Sequence, residues 1–158
     1  MKKVLIVLDY DPTAQKVAEQ GLELAVTMGA EIMLLHVIAD PEHYNATKHI
    51  TIMGFAGCND VVPCKLDSVA ERKIYAQKFL DKSKEHLGNK SIQTMVAEGD
   101  TAESILNAAK DIHADIIVMG SHSRKWLQNI VIGSVSEKVL HHTLVPVFII
   151  PTKAPHVG

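Results

Sequence analysis

Two Gly-Ser pairs bracket a polar stretch late in the chain: Gly120-Ser121-His122-Ser123-Arg124 and, thirteen residues after Gly120, Gly133-Ser134-Val135-Ser136. The first glycine follows the apolar run Ile116 to Met119. A residue without a side chain at a strand end lets backbone approach a ligand closely. The second pair stands at the start of a short helical pattern, and Ser134 with Glu137 three residues on has the form of a capping box. The first turn of a helix presents unpaired N–H groups and a partial positive charge, which suits phosphate. The hydroxyls of Ser134 and Ser136 add donors. The chemistry on offer is anion binding. The plain alternative is a strand–loop–helix turn whose glycines serve backbone geometry alone.

These residues need elements to hold them. Val4 to Leu8 is a continuous apolar run, as in a strand buried on both faces, and Asp9-Tyr10-Asp11-Pro12 breaks it. Ala14, Val17, Ala18, Gly21, Leu22, Ala25 and Met28 then recur at helical spacing. Pro12 suits the first turn, Asp9 or Asp11 could cap it, and Gly29 closes it. Glu31 to Ile38 reads as a second buried strand, with His36 as a packed residue within it. From 39 to 66 the pattern dissolves into a long loop or insertion containing Pro41, Gly54, Gly57 and Pro63. A helix capped by Asp67 or Ser68 and stopped by Gly88 follows, with Val69, Ala76, Phe79, Leu80 and Leu87 inward.

Ser91 to Ala97 alternates like a third strand, and Asp100 with Glu103 marks the start of another helix, whose stripe is Ile105, Leu106, Ala109 and Ile112. Asp115 to Met119 is a fourth strand, Ser134 to His142 a short helix, and Val145 to Ile150 a fifth strand. Strands alternating with helices imply an α/β fold: one open five-stranded parallel sheet with helices on both faces, Rossmann-like, in a single domain over 1–158. Ligands of such sheets bind beyond the carboxyl ends of the strands, where strand order reverses. That rule selects Asp9, Val37-Ile38 and the segment from Gly120 to Gly133.

At this point the chain resembles the nucleotide-binding branch of the universal stress protein family. That branch carries G-x2-G-x9-G-[S/T], and this chain reads Gly120-x2-Ser123-x9-Gly133-Ser134, with full spacing and serine in place of one glycine. "KKVLIVLD", "IMLLHVI", "EGDTAESILNAAKDIHADIIVMGSHS" and "GSVSEKVLHHTLVPVFII" extend the likeness over nearly the whole chain. The resemblance implies an adenine nucleotide, ATP, ADP or AMP, in the cleft, in a fold similar to adenine nucleotide alpha hydrolases. It implies that Asp9 contacts the adenosine end and that the backbone of Val37 reads the adenine edge. Val7 and Leu8 would line the base pocket. Met119, Gly120 and Ser121 would lie near ribose and the inner phosphates. Ser123, Arg124, Gly133, Ser134, Val135 and Ser136 would cradle the phosphates, with His122 beside them. If position 123 requires a positive φ, serine costs about 1 kcal/mol there, and binding weakens several-fold without being lost.

Composition narrows the field. The chain has 158 residues, 47% apolar and 22% charged, with a formal net charge of −2. No global basic field draws nucleic acid or an anionic membrane, so an anion site must be built locally. No apolar run reaches the roughly 18 residues that span a bilayer. "MKKVLIVLDYD" reads as a first strand and not as a signal peptide, because Asp9 and Asp11 end it and no small-residue cleavage site follows. A cytoplasmic location is expected. Cys58 and Cys64 lack the second pair of a zinc signature and read as reduced thiols. His141-His142 suit a helix carboxyl end, and the histidines do not cluster as metal ligands. Trp126 and Leu127 either close over the cradle or pack on the last helix.

The final strand is apolar on both faces yet contains Pro146, which favours a sheet edge, and an apolar edge invites a second chain. The resemblance agrees in implying a homodimer through this strand, with Val145, Val147, Phe148 and Ile149 at the interface. No nucleophile–base pair is visible. The expectation is a dimeric nucleotide-sensing or stress-response protein, with a divalent ion such as Mg2+ a candidate to bridge the phosphates and at most slow ATP hydrolysis. One rival is an interaction module without nucleotide, acting through 39–66, the dimer surface and an unidentified protein partner. The other is an adenylyl-transfer or hydrolase enzyme, which needs an acid or base where Gly133 to Ser136 stands.

Overall fold

A computed structural model describes residues 1–10, 13–38, 69–121 and 134–151. The elements are β1 (Lys3–Val7), α1 (Ala14–Met28), β2 (Glu31–Ile38), α2 (Val69–Leu87), β3 (Gln93–Glu98), α3 (Thr101–Asp111), β4 (Ile116–Gly120), α4 (Ser134–His142) and β5 (Val147–Ile150). The five strands form one parallel sheet in the order β3-β2-β1-β4-β5. The chain runs outward from β1 through β2 to β3, then crosses back to add β4 and β5 on the other side. Strand order therefore reverses between β1 and β4.

The apolar runs are continuous because both sheet faces are covered. Val4, Ile6 and Leu8 pack with Ile32, Leu34, Val118 and the buried residues of α1 and α2. Leu5 packs on the opposite face with Leu35, Ile117 and the buried residues of α3 and α4. Each fully buried aliphatic side chain contributes about 1.5–3 kcal/mol relative to exposure. Gly21 lets α1 lie directly on β1: a Cβ there would stand 2.7 Å from Ile6 Cδ1, inside contact distance. Gly29 ends α1 in the left-handed region at φ 62°, and its N–H reaches the carbonyls of Ala25 and Val26. Asp100 caps α3, its Oδ1 accepting from the Glu103 N–H at 3.0 Å. That bond first, then Lys138 nearby, holds the Asp100 carboxyl below its ordinary value against a small opposing effect of burial.

Local chemistry shifted several expected boundaries. Thr13, and not Asp9, occupies the cap position of α1, and it makes no side-chain capping bond. The Asp11, Pro12, Asp67 and Ser68 readings, and the 39–66 segment with its cysteines, lie outside the described residues. β5 begins at Val147 and not at Val145. The Pro146 carbonyl accepts from the Ile117 N–H at 2.9 Å, so position 146 faces β4. Proline has no N–H to give the ladder there, and regular pairing starts one residue later. Backbone groups alternate sides along a strand, so those of Val147 and Ile149 turn to the outer edge. Among the described residues, no helix is long and apolar enough to cross a membrane.

Candidate functional site

Register brings separate parts of the sequence level with one another. β1 pairs with β4 as Ile6↔Val118, so two residues further on Leu8 stands level with Gly120. β1 pairs with β2 as Val7↔Leu35, which sets Asp9 level with Val37. Val7, Leu8, Asp9, Val37, Met119, Gly120 and Ser121 thus gather at the carboxyl end of the sheet, around the reversal of strand order. Leu8, Val37 and Met119 are buried, Val7 and Gly120 half-buried, and Asp9 exposed.

Each strand end is tied down. The Leu8 N–H extends the ladder to the Leu35 carbonyl at 2.8 Å. The Leu8 carbonyl accepts from His36 Nδ1 at 2.8 Å. Tyr10, at the far side of the turn, lays its ring 4.3 Å from His36 and meets Phe79 of α2 edge-on at 5.1 Å. At the other strand end, the Ser121 N–H donates to the Ile150 carbonyl at 3.0 Å. The Gly120 carbonyl accepts from the Ser136 hydroxyl, also at 3.0 Å, which ties the first turn of α4 to the tip of β4. Ser136 is buried, and its one hydroxyl proton goes to Gly120. Toward an anion the donor it retains is its backbone N–H.

Val135 is half-buried beside Ser136, and α4 begins at Ser134 as the spacing predicts. His122, Ser123, Arg124 and Gly133, with Trp126 and Leu127, lie outside the described residues. Among the described residues, no group of three or more His, Cys, Asp or Glu side chains is placed to hold a metal ion. The described part of the site offers backbone donors, one exposed carboxylate and apolar walls. Such a set can recognise a polar, anionic small molecule.

His36 belongs to this region although sequence reading treats it only as a packed strand residue. It is 3% exposed, and burial pushes its pKa down to about 4, against the opposing pull of the Leu8 carbonyl. The available signal was a lone imidazole inside an otherwise aliphatic run, Ile32 to Ile38.

The apolar edge strand can now be placed as well. Val145, Val147 and Ile149 are partly buried against the α3–α4 face. Phe148 points to the other face and is 45% exposed; Leu140 and Leu144 are exposed as well.

Comparison with known proteins adds the following. The profile of the universal stress protein family matches residues 1–54 and 61–151. Universal stress protein MJ0577 of Methanocaldococcus jannaschii is 30% identical over 159 residues, covering 96% of this chain and 96% of its own. Universal stress protein YxiE of Bacillus subtilis is 30% identical over 151 residues, covering 94% and 97%. The solved structure of MJ0577 superposes with a TM-score of 0.67 at 23% identity, covering 98% of each chain. A universal stress protein solved in complex with cAMP superposes with a TM-score of 0.63 at 16% identity, covering 96% and 98%.

Proposed function

The chain belongs to the universal stress protein family, and from that membership we propose that it binds an adenine nucleotide at the reversal of strand order and acts as a dimeric nucleotide-sensing stress protein. One observation carries the reading. The ends of β1 and β4 stand level across the crevice, and the start of α4 is hydrogen-bonded to the second of them. This is where an open parallel sheet takes a ligand, and where a helix amino end takes a phosphate. A structural neighbour crystallised with cAMP, itself an adenine nucleotide, supports the ligand class.

In this reading the nucleoside lies over Val7, Leu8 and Asp9, with the Asp9 carboxylate toward the ribose and the Val37 backbone at the adenine edge. The inner phosphates pass Met119, Gly120 and Ser121. The outer ones meet the amides of Ser134, Val135 and Ser136, with His122, Ser123, Arg124 and Gly133 completing the cradle. Mg2+ would be held by the phosphates. The protein is read as a binder and not an enzyme, a single domain in the cytoplasm, with neither nucleic acid nor membrane as partner.

Titration calorimetry with ATP tests the cradle. The parent should release heat on binding, and Gly133→Val, a branched side chain in place of the motif glycine, should remove it while the fold persists. Absence of heat from the parent at millimolar ATP would leave the interaction-module reading standing.

The dimer reading draws on the outer edge of β5, unpaired among the described residues, where Val147 and Ile149 present backbone groups and Phe148 presents an apolar ring. Phe148→Glu, at a position with room for a charge, should turn dimers into monomers in sedimentation. A dimer that survives the change refutes pairing through this edge.

A further inference from the structure

His36 is caught between two requirements. A carbonyl oxygen can only accept, so the bond to Leu8 at 2.8 Å puts the proton on Nδ1 and leaves Nε2 as a bare acceptor. That Nε2 is buried and has no hydrogen-bond partner among the described residues. Its surroundings explain why. The ring meets Tyr10 at 4.3 Å from the β1–α1 turn and Phe79 at 5.8 Å from α2, and β3 sets Val96 beside it. Among the described residues of that wall, Tyr10 is the titratable one. The ring's proton affinity answers, among the described residues, first to burial and then to the Leu8 carbonyl.

We infer that His36 is a positioning residue of the nucleotide cleft: as the Nδ1–H tautomer it fixes the Leu8 carbonyl and so the turn bearing Asp9, and a proton arriving at Nε2 releases that turn. The role of Asp9 rests on the nucleotide reading; the clamp itself does not. A second N–H on the ring would need an acceptor or water, and Nε2 meets none among the described residues. Of the wall residues, Tyr10 follows Asp9 directly in the chain and so is coupled to it. Swinging Tyr10 out hydrates the imidazolium and shifts Asp9 with it. Acid would thereby loosen the adenosine end of the site while the phosphate end, held by Ser136, stays in place.

Two substitutions separate positioning from packing. In His36→Asn the amide nitrogen stands where Nδ1 stood, so the bond to Leu8 is kept and titration is lost. In His36→Phe the space is filled and the donor is gone. Native-state hydrogen exchange on nucleotide-free protein reads the clamp through the Leu8 amide, with the Ile117 amide, bonded to the Pro146 carbonyl, as a core reference. Corrected for intrinsic rates, Leu8 protection in the parent should lie below that of Ile117. It should fall about thirtyfold from pH 7.5 to 5.0, as linkage to a histidine of ordinary pKa in the open state requires. In His36→Asn it should stay flat. Equal protection at Leu8 and Ile117 at every pH, or a variant that tracks the parent, overturns the inference.

The second measurement is ATP affinity at pH 7.5. His36→Asn should bind within about threefold of the parent, and His36→Phe about tenfold more weakly, the loss of roughly one hydrogen bond's worth of ordering. Parent-like affinity in His36→Phe overturns the positioning role. If the parent itself gives no heat with ATP, the nucleotide reading fails, and the exchange data alone decide whether the clamp exists.

Discussion

At the end of β1 the Leu8 carbonyl accepts from an imidazole; at the end of β4 the Gly120 carbonyl accepts from a hydroxyl. Both bonds meet the same need. A carbonyl at the end of a buried strand has run out of ladder and must find a donor or lose free energy. The side chains that meet it differ in what they leave over. Ser136 gives its one proton to Gly120, and its remaining lone pairs carry little penalty when unused. His36 gives Nδ1–H to Leu8 and keeps a second nitrogen that nothing among the described residues satisfies. The imidazole in exchange fills space between Tyr10 and Phe79 that no serine could fill. A strand end fastened by histidine is therefore tied to pH, and one fastened by serine is not.

Acid stability is where this difference should show most. The folded-state pKa of His36 is lowered to about 4, so the folded chain resists the proton that the unfolded chain takes up near its ordinary value of 6.5. Its share of stability is complete above about pH 6.5 and is lost as pH falls toward 4. A shift of that size corresponds to about 3 kcal/mol. Urea denaturation of the parent should show that decline, and His36→Asn should remove most of it. An unchanged slope in the variant would mean that carboxylates govern the acid limb, Glu19 among them. The Glu19 pKa is lowered chiefly by its bond to His86, and it should matter only at lower pH.

The same contrast marks what could be read from residues in order. β2 was legible over its full length, Glu31 to Ile38, because burial on both faces leaves a continuous apolar run. Gly29 and the Asp100–Glu103 pair were legible too, since caps act over three or four residues. The end of β4 at Gly120 and the start of α4 at Ser134 were legible for the same reason, since each is marked by residues adjacent in sequence. Bonds that span the fold were not legible. His36 finds Leu8 across 28 positions and Ser136 finds Gly120 across 16, and neither pairing leaves a local pattern. Ser136 therefore read as a phosphate donor, whereas its hydroxyl proton is committed to the strand. Thr13 took the cap position of α1 from Asp9 for a related reason. The backbone after β1 first serves the tie to β2, through Leu8, and the helix starts only once that turn is complete.

Ser136→Ala tests the other half of the comparison and should have the smaller effect. The change removes the donor to a half-buried strand-end carbonyl and leaves a void no larger than one oxygen atom. A loss of about 1–2 kcal/mol in urea denaturation follows from an unsatisfied acceptor near the core. Because neither partner titrates between pH 7.5 and 5.0, the difference from the parent should be constant across that range. A constant offset keeps the two strand ends distinct, one sensitive to protons and one not. An offset that grows toward pH 5.0 would mean that freeing the β4 tip also loosens the turn at Tyr10. The two ends would then move as one unit across the crevice, and the side proposed for phosphate would share the acid response assigned to His36.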